Sequence, residues 1–298
     1  MRDMGRREFM SRAAAMAAAT FVSGRAMANT PWTGTSLAGA DGIRRACDTI
    51  VLGRSGVQTS RMALGTGSRG LRQSEMGQRG VLKLFRHALD HGVRWWDVAD
   101  MYRIHTIIRA TLRQIPRDQV VLTSKTRATD AAGARADIER FRKELGVDCI
   151  DILLLHCMTS ADWPNTLRGA MDVLSEAKEK GIVRAVGCSC HDFGALKAAA
   201  SEEWVDISMA RINPFAVHTD VGTPDEIPQV VETLNATRQR GKAVYGMKIL
   251  GEGRLDSDQI DESLRFTLKQ DCMDGFVIGF RSIAEFDDLL ARIERVQV

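Results

Sequence analysis

From residue 49 onward the sequence alternates short apolar runs with amphipathic stretches, without a break. Strand-like runs lie at 62–67, 94–98, 119–125, 149–156, 182–188, 205–212, 243–249 and 275–280. Helical spacing follows each of them, at 75–91, 103–114, 131–145, 164–180, 192–200, 225–240, 258–269 and 283–296. A chain that repeats strand, helix, strand must lay its strands parallel and return by right-handed crossovers. Eight such units exceed what an open doubly wound sheet usually carries, so the pattern predicts an α/β fold, a (β/α)8 TIM barrel, as a single domain over 49–298. Local signals agree: Gly92, Gly146, Gly181 and Gly241 close helical stretches, and Pro164 follows Asp162 and Trp163 at a helix start.

Parallel closure has a chemical consequence. Asp97, Tyr102, Lys125 and His156 fall at or just past the ends of three successive runs, so a barrel brings all four to its carboxyl-end mouth, where barrel enzymes keep their chemistry. A free phenol ionises near about pH 10 and donates a proton poorly at neutral pH. A lysine ammonium against the phenol stabilises the phenolate, and a buried aspartate keeps that lysine charged. A histidine can then hold a substrate oxygen in line. The set suits protonation of a carbonyl oxygen while hydride arrives at carbon. Taken singly, each residue also has an ordinary structural role as a turn former, a solvated charge or a core histidine. Their joint order on successive strands favours the chemical reading.

The stretch Trp96-Asp97-Val98-Ala99-Asp100-Met101-Tyr102 resembles the Asp-x4-Tyr signature of the aldo-keto reductases. Ser124-Lys125 is similar to their third-strand lysine, and Leu154-Leu155-His156 to their fourth-strand histidine. Lys180 to Ser189 resembles their fifth strand, and Ile278-Gly279-Phe280-Arg281-Ser282 their cofactor-phosphate turn; the likeness spans roughly 49 to 296. It implies an oxidoreductase interconverting a carbonyl and an alcohol with a nicotinamide cofactor laid across the mouth, Tyr102 being the general acid/base. It also implies a short hairpin around Leu52 to Val57 closing the barrel floor. This family does not rely on a Gly-x-Gly-x-x-Gly turn for its nucleotide, so a Rossmann site is not expected.

By the same likeness the cofactor residues are Ser189, Cys190, Met209, Met247, Leu250, Gly251, Gly253, Arg281 and Ser282. Arg281 and Ser282 match positions that grip a 2′-phosphate, which favours NADP(H) over NAD(H), while Glu285, Asp287 and Asp288 follow closely and no second arginine stands at the expected spacing. Cys190, Met209 and Met247 stand where the family has Asn, Gln and an aromatic residue. Thiol and thioether bond an amide weakly, although methionine packs well on a ring. An alternative reading is therefore a non-catalytic or repurposed barrel that holds a cofactor or small ligand. A metal site from His156, Cys157, Cys188, Cys190 and His191 is disfavoured, because a strand sends adjacent residues to opposite faces. Substrate could be a sugar, an aldehyde or a small ketone, met at a mouth left open by short loops after strands one, four and seven. Trp95, Trp96 and Trp163 are candidates for its walls.

The first 28 residues read as a leader. Arg6-Arg7-Glu8-Phe9-Met10 resembles a twin-arginine export motif, an apolar run from Ala13 to Val22 follows, and Ala26-Met27-Ala28 is a small-x-small cleavage signal. The run is shorter than the about 20 residues a membrane span needs. Cleavage is expected after Ala28, with the twin-arginine translocation machinery as partner, a periplasmic destination and a flexible lead-in over 29–48. The chain's net charge is +3, and Arg2, Arg6, Arg7, Arg12 and Arg25 against Asp3 and Glu8 account for all of it. A near-neutral remainder gives no electrostatic support for a nucleic-acid or anionic-membrane partner. Six sparse cysteines do not resemble a disulfide framework.

Overall fold

A computed structural model of the chain describes residues 42–67 and 76–296. The expected leader, the lead-in as far as 41, Ser68 and Glu75 lie outside the described residues. An antiparallel hairpin comes first, β1 (Thr49–Leu52) and β2 (Val57–Ser60). Eight parallel strands then close into a barrel in chain order: β3 (Met62–Gly65), β4 (Trp95–Asp97), β5 (Val121–Thr126), β6 (Ile150–Met158), β7 (Val183–Cys190), β8 (Ile207–Arg211), β9 (Ala243–Met247) and β10 (Gly275–Gly279), with β10 pairing back onto β3. The helices that return the chain are α1 (Gly77–Asp90), α2 (His105–Leu112), α3 (Ala131–Leu145), α4 (Arg168–Glu179), α5 (Phe193–Ser201), α6 (Ile227–Gln239), α7 (Ser257–Lys269) and α8 (Ile283–Arg295). The TIM-barrel expectation holds.

Alternation along each strand divides the apolar residues into two cores. Ala63, Trp95, Ile152, Leu154, Ile207, Met209, Tyr245 and Met247 fill the barrel, joined from below by Ile50, Leu52 and Val57 of the hairpin. Leu64, Trp96, Leu122, Leu153, Val186 and Val244 face outward and pack with residues of the helices. The hairpin therefore plugs the floor, as the family likeness implies. Its turn is seated by Gly53 (φ +48°), where a Cβ would stand 2.6 Å from both Ala243 N and Gly241 O, so only glycine fits.

Three expectations need correction. The end of the lead-in is bound to the barrel: Ala46 is buried, its carbonyl accepts from Met62 N, and Arg44 donates to the Leu268 carbonyl (2.8 Å). Trp95, Trp96 and Trp163 are all core residues and none borders the mouth. Trp95 fills the barrel and bonds Thr123, Trp96 packs outward on Phe85, and Trp163 donates to the Ala195 carbonyl. Finally, β6 runs two residues past His156, through an irregularity at His156-Cys157 where Cys157 adopts φ +69°.

Candidate active site

The carboxyl ends of β4, β5 and β6 assemble the four predicted residues. Asp97 ends β4, and a turn of 3-10 helix (Asp100–Tyr102) carries Tyr102 above it. Lys125 ends the inward row of β5 and is fully buried. Its Nζ pairs with Asp97 Oδ1 and donates to the Val98 carbonyl (3.0 Å). It also lies 5.1 Å from the centroid of the Tyr102 ring. His156 stands edge-on to the same ring at 5.7 Å between centroids. A methyl on Gly67 would sit 3.2 Å from Tyr102 Cζ, so glycine two residues past the end of β3 gives the phenol its room.

One member of the set was missed by sequence reasoning. Tyr245 Oη donates to Asp97 Oδ2 at 3.0 Å, so each carboxylate oxygen of Asp97 has its own partner. The signal that could have found it was the two-residue period of β9, which turns Tyr245 inward with Met247. The partner strand, β4, lies far away in sequence, and periodicity does not report such pairings.

Burial sets the protonation states. It pushes the Tyr102 phenol above its ordinary value, with the Lys125 ammonium pulling the other way. Burial acts to lower Lys125, but Asp97 and then Tyr102 outweigh it and the ammonium is held above its usual range. His156 is lowered to about 3 by burial and then by Lys125, so its imidazole is neutral at ordinary pH. His156 Nδ1 is buried without a hydrogen-bond partner, a cost of about 1–3 kcal/mol that a bound ligand can relieve.

A groove of about 340 Å³ runs from Asp97, Tyr102 and Gly67 across β9 and β10 to the start of α8. Met209, Met247, Leu250, Gly253 and Arg281 line it. Gly251 (φ +54°) instead turns the chain beneath it, against Val217 and Leu255. Ser282 caps α8 by accepting from Glu285 N, and Ser189 accepts from Cys157 N (2.9 Å) beside the mouth. Cys190 requires correction. Strand alternation turns it outward with Cys188, their sulfurs 3.8 Å apart in the layer under the helices, so it faces away from the groove.

At the groove's outer end Arg281 is held by Glu285 through Nε (2.9 Å) and through Nη2 (2.6 Å). Arg292 also borders the groove, paired with Asp288 (2.8 Å) and Asp261 (2.7 Å). It supplies a second guanidinium from a position three turns into α8, beyond the spacing that sequence reading scanned. The loop after β8 was likewise missed. Buried Asn213 organises it, donating to the Val217 and Lys248 carbonyls and accepting from Phe215 N and Val217 N. His218 of that loop meets Glu252 (3.3 Å) of the loop after β9. The two loops thus support the groove wall jointly.

The profile of the Aldo/keto reductase family matches residues 61–297. The chain belongs to the aldo/keto reductase family. Among relatives in this family, a D-threo-aldose 1-dehydrogenase of a Pseudomonas species is 24% identical over 216 residues, 59% of this chain and 65% of that protein. An NADH-specific methylglyoxal reductase of Escherichia coli (strain K12) is 23% identical over 188 residues, 54% of this chain and 58% of that protein. The chain thus matches less than two thirds of the length of either. A solved aldo/keto reductase from Klebsiella pneumoniae, in complex with NADP and acetate, superposes with a TM-score of 0.64 at 19% identity, covering 83% of this chain and 89% of that one. The aldo/keto reductase barrel is therefore shared at low sequence identity.

Proposed function

We propose that the protein is an NADP(H)-dependent oxidoreductase that interconverts a carbonyl group and an alcohol, on an aldehyde, a ketone or a sugar. The observation that carries this reading is the buried Lys125 and Asp97 pair beneath a half-buried Tyr102, beside a neutral His156, at the deep end of a long groove. When bound, a nicotinamide cofactor supplies or accepts hydride at the substrate carbon. Tyr102 gives its proton to the carbonyl oxygen in reduction and takes it back in oxidation. Lys125 stabilises the phenolate left behind, and Asp97, steadied by Tyr245, keeps the ammonium in place. His156, neutral and with an unbonded nitrogen, orients the substrate oxygen.

The groove fits a dinucleotide. Met209 and Met247 offer polarisable surface for a nicotinamide ring. Leu250 and Gly253 would border the pyrophosphate, with Gly251 setting the loop, Ser189 reaching the carboxamide and Ser282 presenting the amino end of α8. Arg281 and Arg292 support NADP(H), each having to exchange a carboxylate partner for a phosphate. The two thioethers favour a second reading, a barrel that holds cofactor without turning it over. We further propose that 1–28 is a twin-arginine leader cleaved after Ala28, that 29–48 leads into the barrel, and that the enzyme works in the periplasm, on the strength of Arg6-Arg7 and Ala26-Met27-Ala28. Tyr102→Phe tests the chemistry: it should leave NADPH binding intact and lower carbonyl turnover by about 10²- to 10⁴-fold. Near-normal turnover would sink the assignment, and absence of turnover in the wild type with tight NADPH binding would favour the second reading.

A further inference from the structure

On the outer face of the barrel, remote in role from the groove, two histidines and a carboxylate converge. His87 lies in the last turn of α1 and His91 caps that helix one turn later, so the i, i+4 spacing stacks both rings on one face, 4.3 Å apart between centroids. Asp287 reaches them from α8, its Oδ1 2.6 Å from His87 Nε2. One ligand atom from each residue lies within 4.8 Å of the other two. The rings are held in place. Buried Phe286 stands edge-on to His87 at 5.6 Å and to His91 at 6.0 Å, and His91 Nδ1 hydrogen-bonds the His87 carbonyl at 2.8 Å. A carbonyl can only accept, so His91 Nδ1 carries a proton, and in the neutral ring Nε2 is the nitrogen with the lone pair. This is the outer-shell arrangement by which backbone carbonyls fix the tautomer of metal-binding histidines.

The geometry points to a surface site for a borderline divalent transition metal, with Zn²⁺ as the reference ion, bound by His87, His91 and Asp287. Two imidazoles and a carboxylate are a donor set zinc takes, with solvent left to complete a four-coordinate shell. Ligand atoms on a common ion stand about 2.0–2.2 Å from it, so modest side-chain rotations close the present spacing. The site also lies at the carboxyl end of α1, where helix carbonyls favour a cation. Asp287 is not pre-empted: among the described residues His87 is its only ion-pair partner. The contrast is the Asp100, His105 and Glu144 cluster. There both ring nitrogens of His105 are bonded, to Glu144 (2.8 Å) and Ser124 (3.0 Å), and Arg140 neutralises both carboxylates. That cluster holds an internal cation already, whereas among the described residues no Lys or Arg pairs with the one across α1 and α8.

An ion there would tie α1 to α8, the helix whose other face borders the groove through Glu285, Asp288 and Leu289. The test uses the untagged full chain, titrated with ZnCl₂ by calorimetry and followed by thermal melting. One Zn²⁺ per chain is expected, with a rise in melting temperature that saturates with the binding isotherm. His91→Ala and Asp287→Asn, both at exposed positions, should each weaken binding by at least about 10-fold and abolish the melting shift. Absence of binding in the wild type would overturn the site. So would zinc affinity retained in either variant, since the ion would then sit elsewhere, for instance on an exposed thiol such as Cys47.

Discussion

The two ends of the barrel bury carboxylates in opposite ways. At the floor Asp151, Asp206 and Asp274 each accept a main-chain N–H from the preceding strand, from Leu122 (2.8 Å), Val186 (3.1 Å) and Val244 (2.9 Å). Basic side chains complete them: Arg117 and Arg184 for Asp151, Lys178 and Arg54 for Asp206, Arg238 for Asp274. At the mouth, among the described residues, the Asp97 carboxylate is held by side chains, Lys125 and Tyr245, and its neighbour His156 keeps a nitrogen unbonded. Backbone partners cannot leave, so the floor is a fixed frame. Side-chain partners can redistribute protons and charge, which is what chemistry at the mouth requires.

Substitutions at the two ends should therefore fail differently. Lys125→Met should cut turnover by about 10²- to 10⁴-fold in protein that still shows the native circular dichroism spectrum. Asp151→Ala at the floor should instead cost about 3 kcal/mol in urea unfolding, with turnover per folded molecule unchanged, because a buried N–H and two arginines lose their partner. Loss of turnover from the floor variant at full folding would erase the distinction.

Acid should expose the mouth next. His156 takes up its proton at about 3 in the folded protein, against an ordinary value of 6.5 once the chain unfolds. As pH falls through that interval the unfolded chain binds the proton first, so the contribution of His156 is complete above pH 6.5 and is lost on acidification. His156→Gln should therefore lose about 1–2 kcal/mol less than the wild type between about pH 6.5 and about 5, read from paired unfolding curves. Equal losses would mean that the folded imidazole titrates normally. The smallest effect is expected at the groove's exposed end. Glu285→Ala releases Arg281 and should tighten NADPH binding a few-fold while leaving NADH unchanged, as measured by fluorescence titration. Equal tightening for both would assign the gain to something other than the phosphate.

The fold was legible because its signal is periodic and repeated. Each strand and helix run announced itself locally, and α3 spans the predicted 131–145. The four mouth residues were legible for the same reason, since parallel closure sends strand ends to one side whatever the detailed packing. What escaped depends on contacts between distant strands or on broken periodicity. Tyr245 meets Asp97 across the barrel, Arg292 reaches the groove from the third turn of a helix, and Asn213 governs a loop with no repeat to read. The likeness to a family motif points Cys190 at the groove, while alternation within β7 turns it away. β6 continues through Cys157 to Met158 although that residue is left-handed, its N–H received by Ser189, and no periodic signal reports such a break.

The side chains that fill the barrel above its hairpin floor make the mouth a cul-de-sac. Whatever reaches Tyr102 enters and departs by one doorway, and two molecules that meet there must queue: the occupant of the inner seat arrives first and leaves last. Steady-state kinetics should then show a compulsory order of addition, dictated by a packed interior that leaves the site a single open side.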